Sequence, residues 1–160
     1  ETVTVIFSFY MHYGRLESTD PTANWRLDIW QDVVFDIFKE GRYLTGYGYN
    51  EIFPQMLDPT APGRLGRDGM NEHVHNYFVN IFSRGGLIQL ILFFIFHYGI
   101  IKYWKDNNQN NQILTYVVPV FLVSFLDITM EGVQFPFIYY FFLYYFLKNC
   151  TRVKVVELYG

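Results

Sequence analysis

A single cysteine, Cys150, stands in the 160 residues, so no intramolecular disulfide can brace this chain. Charge is scarce as well. Asp, Glu, Lys and Arg make up 17% of the sequence, against roughly 25% in soluble proteins. So little charge leaves too little polar surface to cover a water-soluble body of this apolar content. The formal net charge is −3, and residues 14–86, which hold most of the arginines, are net acidic, so no general basic patch for nucleic acid is expected. No internal repeat is present, and the polar stretch DNNQNNQ (106–112) is the one short biased tract. What the chain has instead is aromatics: 17 Phe and 14 Tyr, 21% aromatic in all with Trp.

The apolar residues are clustered. Leu87–Trp104, Ile113–Thr129 and Phe135–Leu147 are nearly continuous apolar runs, and a spanning helix needs about 20 residues. They predict transmembrane helices over 87–104, 113–130 and 135–148. Residues 1–13 include the apolar TVTVIFSFYMHY, too short to span, and are expected to be the outer end of a preceding transmembrane helix. On that expectation the chain is the C-terminal piece of a larger membrane protein.

Lysines and arginines fix the orientation, because cytoplasmic span ends are enriched in them. Lys102 and Lys105 follow the first run; Lys148, Arg152 and Lys154 follow the third. This places 105–112 as a cytoplasmic turn, 131–134 as an outer turn and 149–160 as a cytoplasmic tail. Residues 14–86 then form an extracytoplasmic loop, the one segment large enough to hold a site. Six of the seven arginines lie in it: Arg15, Arg26, Arg42, Arg64, Arg67 and Arg84. The loop is net acidic, so these are a few placed cations suited to a compact anion such as a phosphate, or they pair with neighbouring acids on a wet surface.

Within the loop, NWRLDIWQDVVFDIFKEG predicts an amphipathic helix. Ile29, Trp30, Val33, Val34, Ile37 and Phe38 recur at helical spacing, with Asp28, Asp32 and Asp36 on another face. Asn24 is expected as N-cap and Gly41 as C-cap. Arg26 lies one turn before Trp30, so its stem packs on the indole while its head reaches out. Gly46 and Gly48 in LTGYGYNEIF lack the rest of a phosphate-loop spacing and are read as a turn. The Pro- and Gly-rich stretch 58–69 is an irregular loop.

The stretch NEHVHNYFVNIFSRGG (71–86) gathers polar groups just before the first apolar run. Val74, Phe78, Ile81 and Phe82 share a helical face, Asn71 caps the start, and the helix runs through Gly85 and Gly86 into the span, with His75 in its first turn. His73 and His75 diverge by about 200° on a helix, and no further ligand cluster follows, so no metal and no cofactor are expected. His75 is instead a base or a hydrogen-bond donor to phosphate, or an interfacial histidine bonded to a lipid headgroup. Asp127 and Glu131 lie near the outer end of the second run, where an acid faces a cavity or a partner. His97 is expected to pack against a neighbouring helix.

In order and spacing, RLDIWQDVVFDIFKEGRYLTGYGYNEIF and HVHNYFVNIFSRGGLIQLILF resemble the O-antigen ligase and O-antigen polymerase superfamily of bacterial envelope proteins, over about residues 14–146. The resemblance implies an all-α integral membrane protein: a GT-C-like transmembrane helix bundle with a helical extracytoplasmic loop. It implies a metal-independent glycosyltransferase of the bacterial inner membrane, working at the periplasmic face. The donor would be an oligosaccharide on undecaprenyl diphosphate, and the acceptor a glycan or lipid A-core; membrane lipid surrounds the site. Arg26 and His75 match the family's essential arginine and histidine. Trp30, Gly46, Gly48, Asn76, Gly86 and Leu87 match its motifs, and Arg15 an upstream arginine. Arg84 stands where the family often has an acid. Arg15, Arg84, Asn76, Trp30 and Glu131 are thereby expected at the diphosphate or sugar. A non-enzymatic transporter or flippase component for an envelope glycolipid is the alternative.

Overall fold

A computed structural model describes residues 9–51, 53, 74–108, 110–126, 130 and 134–159, with side chains as far as Lys148. The chain divides into two compact units, Glu1–Leu90 and Ile91–Gly160.

The first unit opens with a hairpin. Strand β1 (Phe9–His12) pairs antiparallel with β2 (Arg15–Ser18), from Phe9 opposite Ser18 to His12 opposite Arg15. Tyr13 and Gly14 make the turn with φ of 46° and 81°. Positive φ at both positions is what a two-residue hairpin needs to match strand twist. Across the strands Tyr10 and His12 hydrogen-bond Glu17 and hold its carboxyl below the usual range. This hairpin corrects two expectations. The fold is mostly helical and not all-α, and Phe9–His12 is strand, not the end of a spanning helix. The β-branched and aromatic residues of this run suit a strand as well as a membrane.

Helix α1 (Pro21–Lys39) begins four residues earlier than its sequence pattern suggests. Asp20, not Asn24, is the N-cap: its carboxylate accepts from Ala23 N at 2.7 Å, and Pro21 takes the first helical position, where no N–H is needed. Asn24 accepts from Ser18 N at 2.8 Å. Gln31 brackets Leu16, accepting from its N–H at 2.8 Å and donating to its carbonyl at 2.9 Å. Side chains of α1 thus complete the outer edge of β2. At the other end Gly41 (φ 71°) follows the cap residue Glu40, with bonds from Gly41 N to Phe38 O and Arg42 N to Ile37 O, a Schellman closure. Ile29, Val33 and Ile37 bury against Phe53 and Val74, with Trp25, Trp30, Tyr47, Val79 and Phe82 around them.

Helix α2 (Tyr77–Asn108) is broken at Gly86, whose φ of 68° and ψ of −168° are not helical. It does not run smoothly through the glycine pair. Among the described residues it is the one helix long and apolar enough to cross a membrane. In the second unit α3 (Leu114–Ser124) has only 11 residues and contains Pro119, short of the span expected over 113–130. Helix α4 (Gln134–Tyr159) continues well past residue 148. His97 of α2 is buried as expected, its ring centroid 5.0 Å from Phe121 on α3 and 5.9 Å from Tyr139 on α4. Its Nδ1–H donates to Phe93 O at 2.9 Å, since a carbonyl can only accept.

Candidate functional site

The site grows from two defects in regular structure, one before α2 and one inside it. Before α2 the chain turns sharply. Asn76 is the N-cap, its Oδ1 accepting from Val79 N at 3.1 Å, and it is buried. Asn71 therefore does not cap this helix. His75 lies outside the helix, not in its first turn, and its backbone is left-handed at φ 51°. A non-glycine residue there costs about 1 kcal/mol or more and persists only where its surroundings hold it.

Helix α1 supplies the hold. The Trp30 indole N–H donates to the Val74 carbonyl at 2.5 Å. The Trp25 ring lies 5.4 Å from the His75 imidazole, tilted by 54°. At about 100° per residue, Arg26 projects from α1 between the directions of Trp25 and Trp30. That direction faces the 74–76 turn, and Arg26 is half-buried. The Val74–His75 turn is thus brought against the Trp25–Trp30 turn of α1, the turn that carries Arg26. Trp25 was not singled out from the sequence, although its place one residue before Arg26 offered the signal.

Inside α2 the break frees the backbone groups on both sides of Gly86. Residues 43–48 bind them as a strap. Tyr47 N and Gly48 N donate to the Ser83 and Arg84 carbonyls at 2.7 and 2.8 Å. Leu87 N and Ile88 N donate to the Tyr43 and Leu44 carbonyls at 2.8 and 3.3 Å. The strap supplies what helix ends lack. It also explains two glycines. A Cβ on Gly46 would come within 2.6 Å of the Arg84 backbone, and one on Gly86 would collide with the Leu44 carbonyl. Gly46 is therefore more than a turn residue, whereas Gly48 meets nothing.

Arg84 holds the next part of the strap. Its guanidinium donates to the carbonyls of Gly48 (3.2 Å), Tyr49 (3.4 Å) and Glu51, and lies 4.3 Å from the Phe53 ring centroid. It is 9% exposed, so its donors serve the loop. Arg15 is engaged too, with Asp32 at 2.7 Å and Asp28 at 3.3 Å. Burial, then the charges of Glu40 and Asp36, raise the Tyr47 phenol above its ordinary value, keeping it neutral on the strap. Glu131, Asp127, His73, Asn71, Arg64, Arg67 and the 58–69 loop lie outside the described residues. No cluster of metal-ligating side chains occurs among the described residues.

The matched region in comparisons with known proteins is the one that carries these features. Residues 2–94 match the family described as O-antigen ligase, more than half of the chain. No curated protein and no solved structure matches it. With the hairpin, α1, the strap and the His75–Asn76 turn all inside the match, the chain belongs to the O-antigen ligase family, membrane-associated enzymes of glycosyl transfer in polysaccharide assembly.

Proposed function

We propose that the protein is an integral membrane glycosyltransferase that moves a glycan from undecaprenyl diphosphate to a sugar acceptor at the outer face of the inner membrane, as ligase or polymerase. The observation that supports this is the contact of the His75 ring with Trp25, the residue before the half-buried Arg26 on α1, at a turn where the His75 backbone is left-handed. The sugar–diphosphate bond is already activated, so positioning and charge stabilisation supply most of the catalysis. The acceptor hydroxyl attacks the anomeric carbon and its proton passes to His75. The anomeric C–O bond to the diphosphate breaks, and the charge left on the leaving oxygen is met by the Arg26 fork. No metal enters this scheme.

The other expected ligands take supporting parts. Asn76 caps α2 and fixes the turn that presents His75. Trp30 holds Val74. Arg84 shapes the loop that follows the Gly46–Gly48 strap. Arg15, shared between two carboxylates, contributes little positive field. The transporter alternative is disfavoured by the broken helix itself. Transporters use unwound backbone carbonyls to hold a coupling ion, and here those of Ser83 and Arg84 accept from the strap.

The test is made in cells carrying the full-length protein. His75→Ala and Arg26→Ala each abolish surface polysaccharide transfer while membrane insertion persists. Normal polymer from either variant sinks the assignment. A gel of lipid-linked intermediates in a deletion strain then separates the two activities. Accumulated single repeat units mark a lost polymerase; long lipid-linked chains that are not passed on mark a lost ligase.

A further inference from the structure

Helix α1 is apolar on two sides. One side builds the core through Ile29, Val33 and Ile37. The opposite side is open: Phe35 is 65% and Phe38 58% exposed. Between this side and β2 runs a groove of about 520 Å³ lined by Leu16, Leu27, Trp30, Val34, Phe35 and Phe38. A polar strip with Asp28, Asp32, Asp36 and Lys39 separates the two apolar sides. Two apolar sides on one helix call for two covers.

We propose that this outer face of α1 is a bilayer-docking surface, its groove filled by the acyl chains of the outer leaflet. Two observations select lipid over a protein partner. The first is the absence of open hydrogen-bonding groups in the groove. Its polar residue Gln31 spends its oxygen on Leu16 N and its amide hydrogens on Leu16 O and Leu27 O. The Trp30 N–H is spent on Val74 O. A peptide seated here would bury its own polar groups without partners, at a cost of several kcal/mol for each by transfer to hydrocarbon, whereas hydrocarbon chains bring none.

The second is continuity. Phe38 stacks on Tyr43 with centroids 5.7 Å apart and planes within 13°. The Tyr43 and Leu44 carbonyls are bonded to the N–H groups of Leu87 and Ile88, where the long apolar run of α2 begins. Tyr43, Leu44, Leu87 and Ile88 are all exposed. Exposed apolar side chains therefore link the α1 groove, through Phe38, Tyr43 and Leu44 on the strap, to the first turn of the candidate span. A tyrosine at that junction fits the headgroup boundary, where aromatic side chains with one polar end collect. The groove lining holds no cation, so docking depends on apolar burial and not on anionic lipid.

The test uses the full-length protein in phosphatidylcholine nanodiscs, with Cys150 and any other cysteine of the full-length protein replaced by serine. A nitroxide is attached in turn at Phe35→Cys, Phe38→Cys and, on the polar strip, Lys39→Cys. Oxygen concentrates in the bilayer and a neutral nickel chelate stays in water. Expected at positions 35 and 38 is oxygen relaxation several-fold above that of the nickel chelate, with the order reversed at 39. Nickel-dominated relaxation at 35 and 38 means a wet surface and overturns the proposal. Protection from both reagents there means a protein cover and overturns it equally. Replacing a third of the phosphatidylcholine by phosphatidylglycerol leaves the pattern unchanged; lipid contact that appears only with the anionic lipid overturns it too. None of these outcomes depends on transfer activity, so failure here is distinct from failure of the catalytic reading.

Discussion

His75 sits at φ 51° with its ring against Trp25, and a substitution at this position can test the proposed catalytic role apart from stability. Glycine at this position removes the backbone strain, about 1 kcal/mol. It also removes a ring contact worth about 0.5–1.5 kcal/mol. The two nearly offset, so His75→Gly leaves the thermal midpoint of the detergent-solubilised protein within a few degrees of wild type. Transfer activity nonetheless falls to background, because no imidazole remains. Unchanged activity in that variant would refute the role of the imidazole. At this scale the sequence was informative about residue types and silent on their settings. His75, Arg26 and Trp30 were legible as candidates from their order. That His75 precedes the helix was not legible, because Asn71 and Asn76 offer equally good caps, and tertiary contact with α1 selects between them. Arg84 and Arg15 were legible as cations, but their partners, the 48–51 carbonyls and the Asp28–Asp32 pair, depend on contacts that no local pattern encodes.

Among the elements, α1 was the most readable, since its core stripe and its closure at Gly41 follow from spacing and a glycine. Its start shifted because Asp20–Pro21 is a stronger initiation signal than Asn24. The hairpin was missed because every residue of β1 is exposed. With no buried face there is no alternation to read; the Tyr13–Gly14 pair was the available clue. The strap was illegible as an element, being defined by backbone bonds between residues about forty positions apart. It makes a graded prediction for the glycines. Gly86→Ala and Gly46→Ala each force a Cβ into backbone, at a positive φ of 68° in both. Each is expected to cost more than about 4 kcal/mol, beyond the range of ordinary substitutions. Gly48→Ala, at φ 90° with nothing within 4 Å, costs about 1–2 kcal/mol from conformation alone. Thermal unfolding of the three variants in detergent gives the ranking. Equal losses at 46, 48 and 86 would mean that close approach is not what requires glycine.

For the molecule as a whole, the functional reading rests on which side of the membrane the strap and the His75 turn occupy. Lys102 and Lys105 close the apolar run of α2, and positive charge of this kind is retained on the cytoplasmic side. On the proposed function the acidic loop before the span stands outside, where the proposed lipid-linked glycan would be used. Two exposed positions report on this. Tyr13 is 95% exposed at the hairpin tip, and Asn111 is exposed after α2. In a cysteine-free background, with Cys150 and any other cysteine of the full-length protein replaced by serine, Tyr13→Cys reacts with a membrane-impermeant maleimide in intact spheroplasts. Asn111→Cys reacts only after lysis. The reverse pattern would put His75 and Arg26 on the cytoplasmic face, away from the proposed donor. The catalytic scheme would then fail even if both side chains proved essential, because an indispensable residue on the wrong side of the bilayer meets a different substrate. Labelling of both in intact spheroplasts would mean that α2, despite its length and apolarity, does not cross. The break at Gly86 would then turn the chain along the surface instead of into the bilayer. Sidedness thus tests the span and the site together, whereas loss of polymer in a variant tests the site alone.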